Sequence, residues 1–252
     1  MPGGARISNG DGVPQRWRVE HFAELDSTNR YAMTQVRAGA EAGLVVVADH
    51  QTAGRGRLDR RWEAPPGSSL LVSVVLPAGT SDGHGPVAAT AVALAEAVEE
   101  VAGIVVALKW PNDLVVGHRK LAGILAEAAP EADAVVVGAG CNVNWDAFPE
   151  ELAGTATACN LESGRPVDRD ALLDAFLVRL DRALDDSVSC AEAYRARLAT
   201  LGRRVRVERA SDALDGEAVA LADDGALVVR DADGVDHVIV SGDVVHLRDA
   251  PT

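Results

Sequence analysis

The sequence predicts an α+β fold: a mixed, mainly antiparallel sheet carrying helices, followed by a small all-β unit. Three observations carry this. Four apolar segments, 105–108, 114–116, 120–128 and 134–143, follow one another at intervals too short for the crossovers that parallel pairs need. Two longer stretches instead repeat apolar residues at helical spacing. After Gly202 the chain breaks into short segments at 204–208, 217–221, 226–230, 235–240 and 244–247, a pattern that suggests a small barrel.

Taken in order, residues 1–15 are rich in Gly, Ser, Asn and Pro and read as a flexible tail. A strand follows at 17–25. The cluster Asp26-Ser27-Thr28-Asn29 then offers N-cap side chains to a helix bearing Tyr31, Met33 and Val36. Strands are expected at 44–48 and 69–76. Pro86 opens a helix with Val87, Ala91, Leu94, Val98 and Val101 on one face, and Gly103 ends it. Gly117-His118 breaks the segments at 114–116 and 120–128 as a hairpin would. Asp168 starts a helix with Leu172, Leu173, Phe176, Leu177, Leu180 and Leu184 along one face, and another helix is expected over 190–200. Asp215-Gly216, Asp224-Gly225 and Asp233-Gly234 read as turns. The expected organisation is a tail at 1–15, a catalytic body at 16–201 and an appendage at 202–252.

Composition narrows the function. The chain has 252 residues, 48% hydrophobic and 25% charged, which is ordinary globular composition. It contains neither an apolar run of membrane-span length nor a signal core in its first twenty residues, so a cytoplasmic protein is expected. Cys141, Cys159 and Cys190 have no metal spacing, and their odd number and separation suggest reduced thiols. A formal net charge of −14 argues against general nucleic-acid binding, which needs a basic face. Of 24 basic residues only Lys109 and Lys120 are lysines. An ammonium is a compact point charge that a guanidinium does not reproduce, so both positions are candidates for lysine-specific chemistry.

Four stretches carry candidate chemistry. Residues 49–62 read Asp-His-Gln-Thr-Ala-Gly-Arg-Gly-Arg-Leu-Asp-Arg-Arg-Trp. Their glycines permit close backbone approach and their guanidiniums suit phosphate or carboxylate oxygens, although a solvated basic loop would look the same in isolation. Lys109-Trp110-Pro111-Asn112-Asp113 packs a cation, an amide and a carboxylate into one turn. In Arg119-Lys120-Leu121-Ala122-Gly123-Ile124-Leu125, a strand-interior glycine marks a close approach, while an edge lysine guarding against aggregation is the competing reading. Gly138-Ala139-Gly140-Cys141-Asn142 has the outline of a dinucleotide fingerprint but lacks its third glycine. No P-loop, nucleophile elbow or metal-spaced histidine pair occurs.

Together, Ser27-Thr28-Asn29, the Gly54-Arg55-Gly56-Arg57-x-x-Arg60-x-Trp62 run, Lys-Trp-Pro-Asn-Asp, Lys-Leu-Ala-Gly-Ile-Leu and Gly-x-Gly-x-Asn-Val stand in the order that resembles biotin protein ligases. The resemblance covers about residue 20 to the C-terminus. It implies a class II synthetase-like catalytic domain with an SH3-like C-terminal barrel. It also implies that biotin and MgATP form biotinyl-5′-AMP, whose biotinyl group passes to a lysine of a biotin carboxyl carrier domain of an acyl-CoA carboxylase.

Carried over by motif, Ser27, Thr28, Asn29 and Gln51 would hold the polar parts of biotin. Gly54, Gly123 and Leu125 would line its pocket. Arg55 and Arg57 would embrace carboxylate and phosphate oxygens, and Arg60, Trp62, Asn112 and Asn142 would meet the nucleotide. Lys120 would be the adenylation lysine, and Asp113 would accept a proton from, or orient, the acceptor lysine. Lys109 would contact ATP or make a structural pair. ATP and Mg2+ are expected as co-substrate and metal, with no tightly bound prosthetic group. Too few residues precede the resemblance for a winged-helix DNA-binding domain, so neither DNA nor membrane is an expected partner. Monomer and homodimer are both open. The rivals are a lipoate-type ligase, which the Gly-Arg-Gly-Arg run disfavours, a non-catalytic biotin-binding protein, and a repressor.

Overall fold

The computed structural model describes residues 6–7, 12–58, 60–78, 84–208 and 212–247. Much of the expected tail lies outside them, but Arg6–Ile7 forms a strand, β1, that pairs with β2 (Arg18–Leu25). Helix α1 (Thr28–Arg37) follows, capped by the Ser27 side chain, and then β3 (Leu44–Gln51), β4 (Ser69–Pro77) and α2 (His84–Ala102). The expected meander is present as β5 (Ala107–Lys109), β6 (Asp113–Val116), β7 (Arg119–Ala129) and β8 (Ala134–Asn142). Three helices come next: α3 (Cys159–Ser163), which sequence periodicity did not reveal, α4 (Arg169–Asp185) and α5 (Ser187–Arg197).

The strands β1 to β8 form one eight-stranded sheet in the order β1-β2-β3-β4-β8-β7-β6-β5. Helix α1 crosses between β2 and β3, so that pair is parallel while the others are antiparallel. Side chains alternate across the sheet. In β8, Val135, Val137, Ala139 and Cys141 face the main core with α2 and α4, where Leu94, Val98, Phe176 and Leu177 are buried. Ala134 and Val136 face the opposite side and pack with Val36 of α1, Phe22, Val46 and Val75. Glu96, Glu99 and Glu100 of α2 reinforce the helical layer by pairing with Arg179 of α4 and Arg197 of α5. Among the described residues no helix is long and apolar enough to cross a membrane.

The C-terminal part is a five-stranded antiparallel sheet made of β9 (Arg204–Glu208), β10 (Ala213–Leu221), β11 (Leu227–Arg230), β12 (Asp236–Ile239) and β13 (Asp243–His246), in the order β12-β11-β10-β9-β13. Asp224-Gly225 and Asp233-Gly234 sit in turns, with both glycines at positive φ. Asp215-Gly216 does not: it lies within β10, paired with Arg206 and Val205, and a Cβ at Gly216 would come 2.4 Å from the Arg230 carbonyl oxygen. Ladder pairing overrides the local turn preference, and the glycine admits a neighbouring backbone.

Trp110 binds this sheet to the first. Its backbone N–H donates to Thr200 Oγ1 at 3.0 Å and its indole N–H to the Gly225 carbonyl at 2.9 Å. His246 Nε2 lies 3.2 Å from the same Thr200 hydroxyl. Burial, followed by the charges of Lys109 and Arg203, holds the His246 pKa down from 6.5 to about 4. A depressed histidine pKa favours the neutral ring in the folded state, so its contribution is complete above pH 6.5. It is lost as the pH falls towards 4, because the unfolded chain then takes up a proton that the folded chain refuses. Urea midpoints should therefore fall between pH 7 and pH 4.5, and His246→Gln should make that fall shallower. An unchanged slope in the variant would refute the linkage.

Candidate active site

The site begins with side chains that are missing. On the α1 side of the sheet, cross-strand registers align Gly123 with Gly140 and Leu71, and Leu125 with Gly138 and Ser73. Three glycines therefore leave part of that face bare beside the apolar rows covered by α1. Two side chains descend into the hollow. Asn29, from the first turn of α1, lies over Gly138, where a Cβ would come 2.2 Å from its Oδ1. The Trp62 indole lies over the Gly123–Gly140 pair, with a Cβ at Gly140 only 2.6 Å from Cε2. What remains is a cleft of about 300 Å³.

The wall nearest α1 is polar and internally bonded. The Thr28 backbone N–H donates to Gln51 Oε1 at 2.7 Å, which fixes the amide so that its NH2 end is free to face elsewhere. Thr28 Oγ1 and Asn29 Oδ1 lie 2.7 Å and 2.6 Å from Ser73 Oγ. Asn29 Nδ2 donates to the Leu125 carbonyl and, at 2.9 Å, to Glu127.

Opposite stands the arginine loop. It is a small hairpin in which Trp62 N–H donates to Gly54 O and Gly56 N–H to Arg60 O. Gly54 sits where a Cβ would lie 2.3 Å from the Trp62 carbonyl oxygen, so this glycine serves the hairpin and lies outside the cleft lining. Arg55 pairs with Glu127 at 2.8 Å, and Arg60 pairs with Asp243 at the start of β13. Arg57 differs. Its hydrogen-bond partners among the described residues are neutral: Asn112 Oδ1 at 3.2 Å, Ser241 Oγ and the Gly242 carbonyl. Burial lowers its pKa, against the opposing pull of Asp243 and Asp113. A partly desolvated cation with neutral partners gains most from a bound anion.

The third wall is the 109–113 turn and β7. Asn112 Nδ2 donates to Ile124 O at 2.7 Å and the Ile124 N–H returns to Asn112 O, which clamps the turn to β7. This brings Asp113 to Lys120, with Oδ1 2.6 Å from Nζ, and Lys120 also lies over the Trp62 ring at 5.8 Å. Lys109 lines the same cleft. The Trp62 indole N–H is buried without a partner among the described residues, a donor aimed at nothing the protein supplies.

Of the residues singled out from sequence, Ser27, Thr28, Asn29, Gln51, Arg55, Arg57, Arg60, Trp62, Asn112, Asp113, Lys120, Gly123 and Leu125 all line one cleft. Gly54 and Asn142 do not. Asn142 is buried, donating to Thr157 O at 3.0 Å and lying 3.5 Å from Ser69 Oγ, so it secures the end of β8. Sequence reading missed Ser73, Glu127 and Asp243. Ser73 did carry a signal, being the one polar residue in the run Leu70-Leu-Val-Ser-Val-Val-Leu76.

Comparison with known proteins places the chain among relatives. Residues 22–144 match the biotin/lipoate A/B protein ligase family, and residues 200–247 the biotin protein ligase C-terminal domain. The chain is 36% identical to a biotin–[acetyl-CoA-carboxylase] ligase of Mycobacterium tuberculosis, over 94% of this chain and 92% of that one. It is 31% identical to the bifunctional ligase/repressor BirA of Bacillus spizizenii, over 84% of this chain and 69% of the relative. Among solved structures it resembles the biotin protein ligase from Aquifex aeolicus in complex with biotin and ATP, with a TM-score of 0.79 and 28% identity, over 92% of this chain and 99% of that one. A glycine-floored cleft ringed by the motif residues, and a Mycobacterium tuberculosis relative matched along 92% of its length, lead to one conclusion: the chain belongs to the biotin protein ligase family.

Proposed function

We propose that the protein is a biotin–[biotin carboxyl-carrier protein] ligase, which converts biotin and ATP to biotinyl-5′-AMP and pyrophosphate and then biotinylates a lysine of a carrier domain of an acyl-CoA carboxylase. The observation that carries this is the gathering of Lys120, Arg55, Arg57 and Arg60 on one cleft of a chain with net charge −14, beside a neutral polar pocket formed by Ser27, Thr28 and Gln51. That is the charge layout required to hold an uncharged polar ring at one end of a ligand and a carboxylate and phosphates at the other. The match to the biotin protein ligase C-terminal domain favours biotin over lipoate.

In the first step a carboxylate oxygen of biotin bonds to the α-phosphorus. The bond from that phosphorus to the bridging oxygen breaks, and its electron pair leaves with pyrophosphate. Negative charge builds on the α-phosphate oxygens, where Lys120 and Arg57 provide preorganised donors. In the second step the carrier lysine's amine attacks the acyl carbon, the bond to the phosphate oxygen breaks, AMP departs, and the amine proton passes to Asp113. The 2.6 Å Lys120–Asp113 pair suits both duties: a lysine turned to phosphate leaves the aspartate open to the incoming amine. Among the described residues no cluster of three His, Cys, Asp or Glu side chains could cage a metal. Mg2+ would come with ATP as part of the co-substrate and would offset the negative charge of the phosphates there. Three buried, unbridged cysteines fit a reducing compartment, the cytoplasm.

Incubated with MgATP, a carrier domain and labelled biotin or lipoate, the protein should attach the biotin label alone. Covalent lipoate, or no label, would overturn the reading. Lys120→Ala should retain its circular dichroism spectrum but lose about 100-fold or more in the rate of adenylate formation, the scale expected for removing one transition-state donor. Unchanged adenylation kinetics would remove Lys120 from the role. Gly140→Ala places a methyl 2.6 Å from the Trp62 ring and so must shift the indole, raising the biotin KM. A biotin KM equal to wild type would show that the indole's seat is irrelevant to the ligand.

A further inference from the structure

Lys120 lies on the wrong face for its place in sequence. In an uninterrupted strand, alternation would put it with Ala122 and Ile124, which are buried in the main core. Its ammonium instead lies beside Gly123, three positions on, where a Cβ would come 3.2 Å from Nζ. The cause is a β-bulge. Against β6, Leu114 pairs with Ala122 but Val115 pairs with Lys120, so Leu121 is an extra residue with none opposite. Leu121 stays in the core while the pleat shifts by one, which carries Lys120 across to the cleft. A bulge also interrupts the ladder, and this one falls where β7 lacks its other neighbour, since pairing with β8 begins only at Ala122. Residues 155–157 take that place: the Lys120 N–H donates to Thr155 O at 2.7 Å, and the Thr157 N–H donates to Lys120 O at 2.9 Å. Glu162 of α3 fastens this short parallel bridge. Its Oε1 accepts from the Thr157 hydroxyl and pairs with Arg119 at 2.8 Å. Asn142 holds the same segment from β8 by donating to Thr157 O. Glu162 thus grips both sides of the bridge, at Thr157 on one and at Arg119, next to Lys120, on the other.

We propose that Glu162 is a positioning residue for adenylation, which locks the bulge through Thr157 and Arg119 and so aims Lys120 into the cleft. This rests on the role given to Lys120 above. Glu162 lies outside the cleft lining, so its effect reaches the ligand through the backbone of Lys120. Without it the fully buried Thr157 hydroxyl loses its acceptor, an unfavourable state that the 155–157 segment relieves by shifting. Lys120 then loses the partner that fixes its backbone beside the bulge. Its ammonium is no longer held at the one point where charge builds on the α-phosphate, and a misplacement of about 1 Å at a reacting group can cost on the order of 100-fold in rate.

The test is a double-mutant cycle on the rate of adenylate formation at saturating biotin and ATP, followed by pyrophosphate release. Glu162→Ala should slow this rate about tenfold, less than full loss of the ammonium because a long side chain still finds the phosphate part of the time. Glu162→Gln, whose carbonyl oxygen can accept from both donors, should stay within about threefold of wild type. Thr157→Val has the same shape without the hydroxyl. It should reproduce the loss seen in Glu162→Ala, and it serves where that variant fails to fold. In a Lys120→Ala background neither substitution should lower the residual rate further, because no ammonium is left to aim. An undiminished loss in that background would mean general damage to the cleft and would overturn the aiming role, as would a wild-type rate in both Glu162→Ala and Thr157→Val. A wild-type protein that forms no adenylate would instead overturn the function, and with it the purpose given to the clamp.

Discussion

The bare face at Gly123, Gly138 and Gly140 is the constraint from which the rest of the site follows. Strands β7 and β8 are anchored by what they present to the other side, where Ile124, Val137, Ala139 and Cys141 sit in the main core. Glycine inside a strand weakens it through backbone entropy and lost packing, and three in adjacent rows form a concentrated weakness. The loss is tolerable because the opposite face is dry and close-packed, and because both strands are interior to the sheet, β8 being paired along its length with β4 and β7 with β8. The hollow they leave is then shaped by two side chains from outside the sheet, Asn29 and Trp62, which makes its geometry dependent on α1 and the arginine loop together.

Electrostatics imposes a second constraint on this frame. An acidic chain has to concentrate cations in one place without spending stability on unpaired charge. Arg55, Arg60 and Lys120 do so by pairing with Glu127, Asp243 and Asp113, each pair with at least one partner partly exposed. Such pairs contribute little individually, roughly 0–1 kcal/mol. They can therefore be exchanged for ligand oxygens at small cost, and the displaced carboxylates become available for other work. Arg57 has no such carboxylate and already bears the desolvation, so it is the cation for which a ligand anion brings the largest gain.

How much of this could be read from sequence depends on the range of the interaction. The longer helices and most strands were legible because apolar periodicity is a local signal that the core simply uses; the five-residue α3 is too short to carry one. The motif residues were legible because glycines and arginines cluster within a few positions of one another. Ser73, Glu127 and Asp243 were not, because each matters only through a partner far along the chain: Asn29, Arg55 and Arg60. The interior serine of β4 did carry a local signal, since a polar residue in a continuous apolar strand must find a bond or bear the desolvation. Asp215-Gly216 misled for the converse reason. Its turn chemistry is genuine but loses to the ladder with β9, and its glycine serves backbone contact with Arg230. Asn142 stands apart from the other motif residues: Gly140, two positions earlier, floors the cleft, while the Asn142 amide donates to Thr157.

The arginine loop lies between the two sheets and is bonded to both. Arg55 is tied to β7 of the large sheet through Glu127, and Arg57 and Arg60 to Ser241, Gly242 and Asp243 at the edge of the small one. The small sheet is itself fixed by Trp110 and Thr200, directly beside the turn that supplies Asn112 and Asp113. Closing the loop over a ligand therefore requires no new rigid element. It requires only that the guanidiniums trade carboxylate and carbonyl partners for ligand oxygens while the hairpin hydrogen bonds of Gly54 and Gly56 persist. If Arg57 and Arg60 take up ligand oxygens as proposed, they would release Ser241, Gly242 and Asp243, and ligand binding would be linked to the contact between the sheets. A change at Asp243 would be felt at the phosphate, although Asp243 belongs to a different sheet from the strands that floor the cleft.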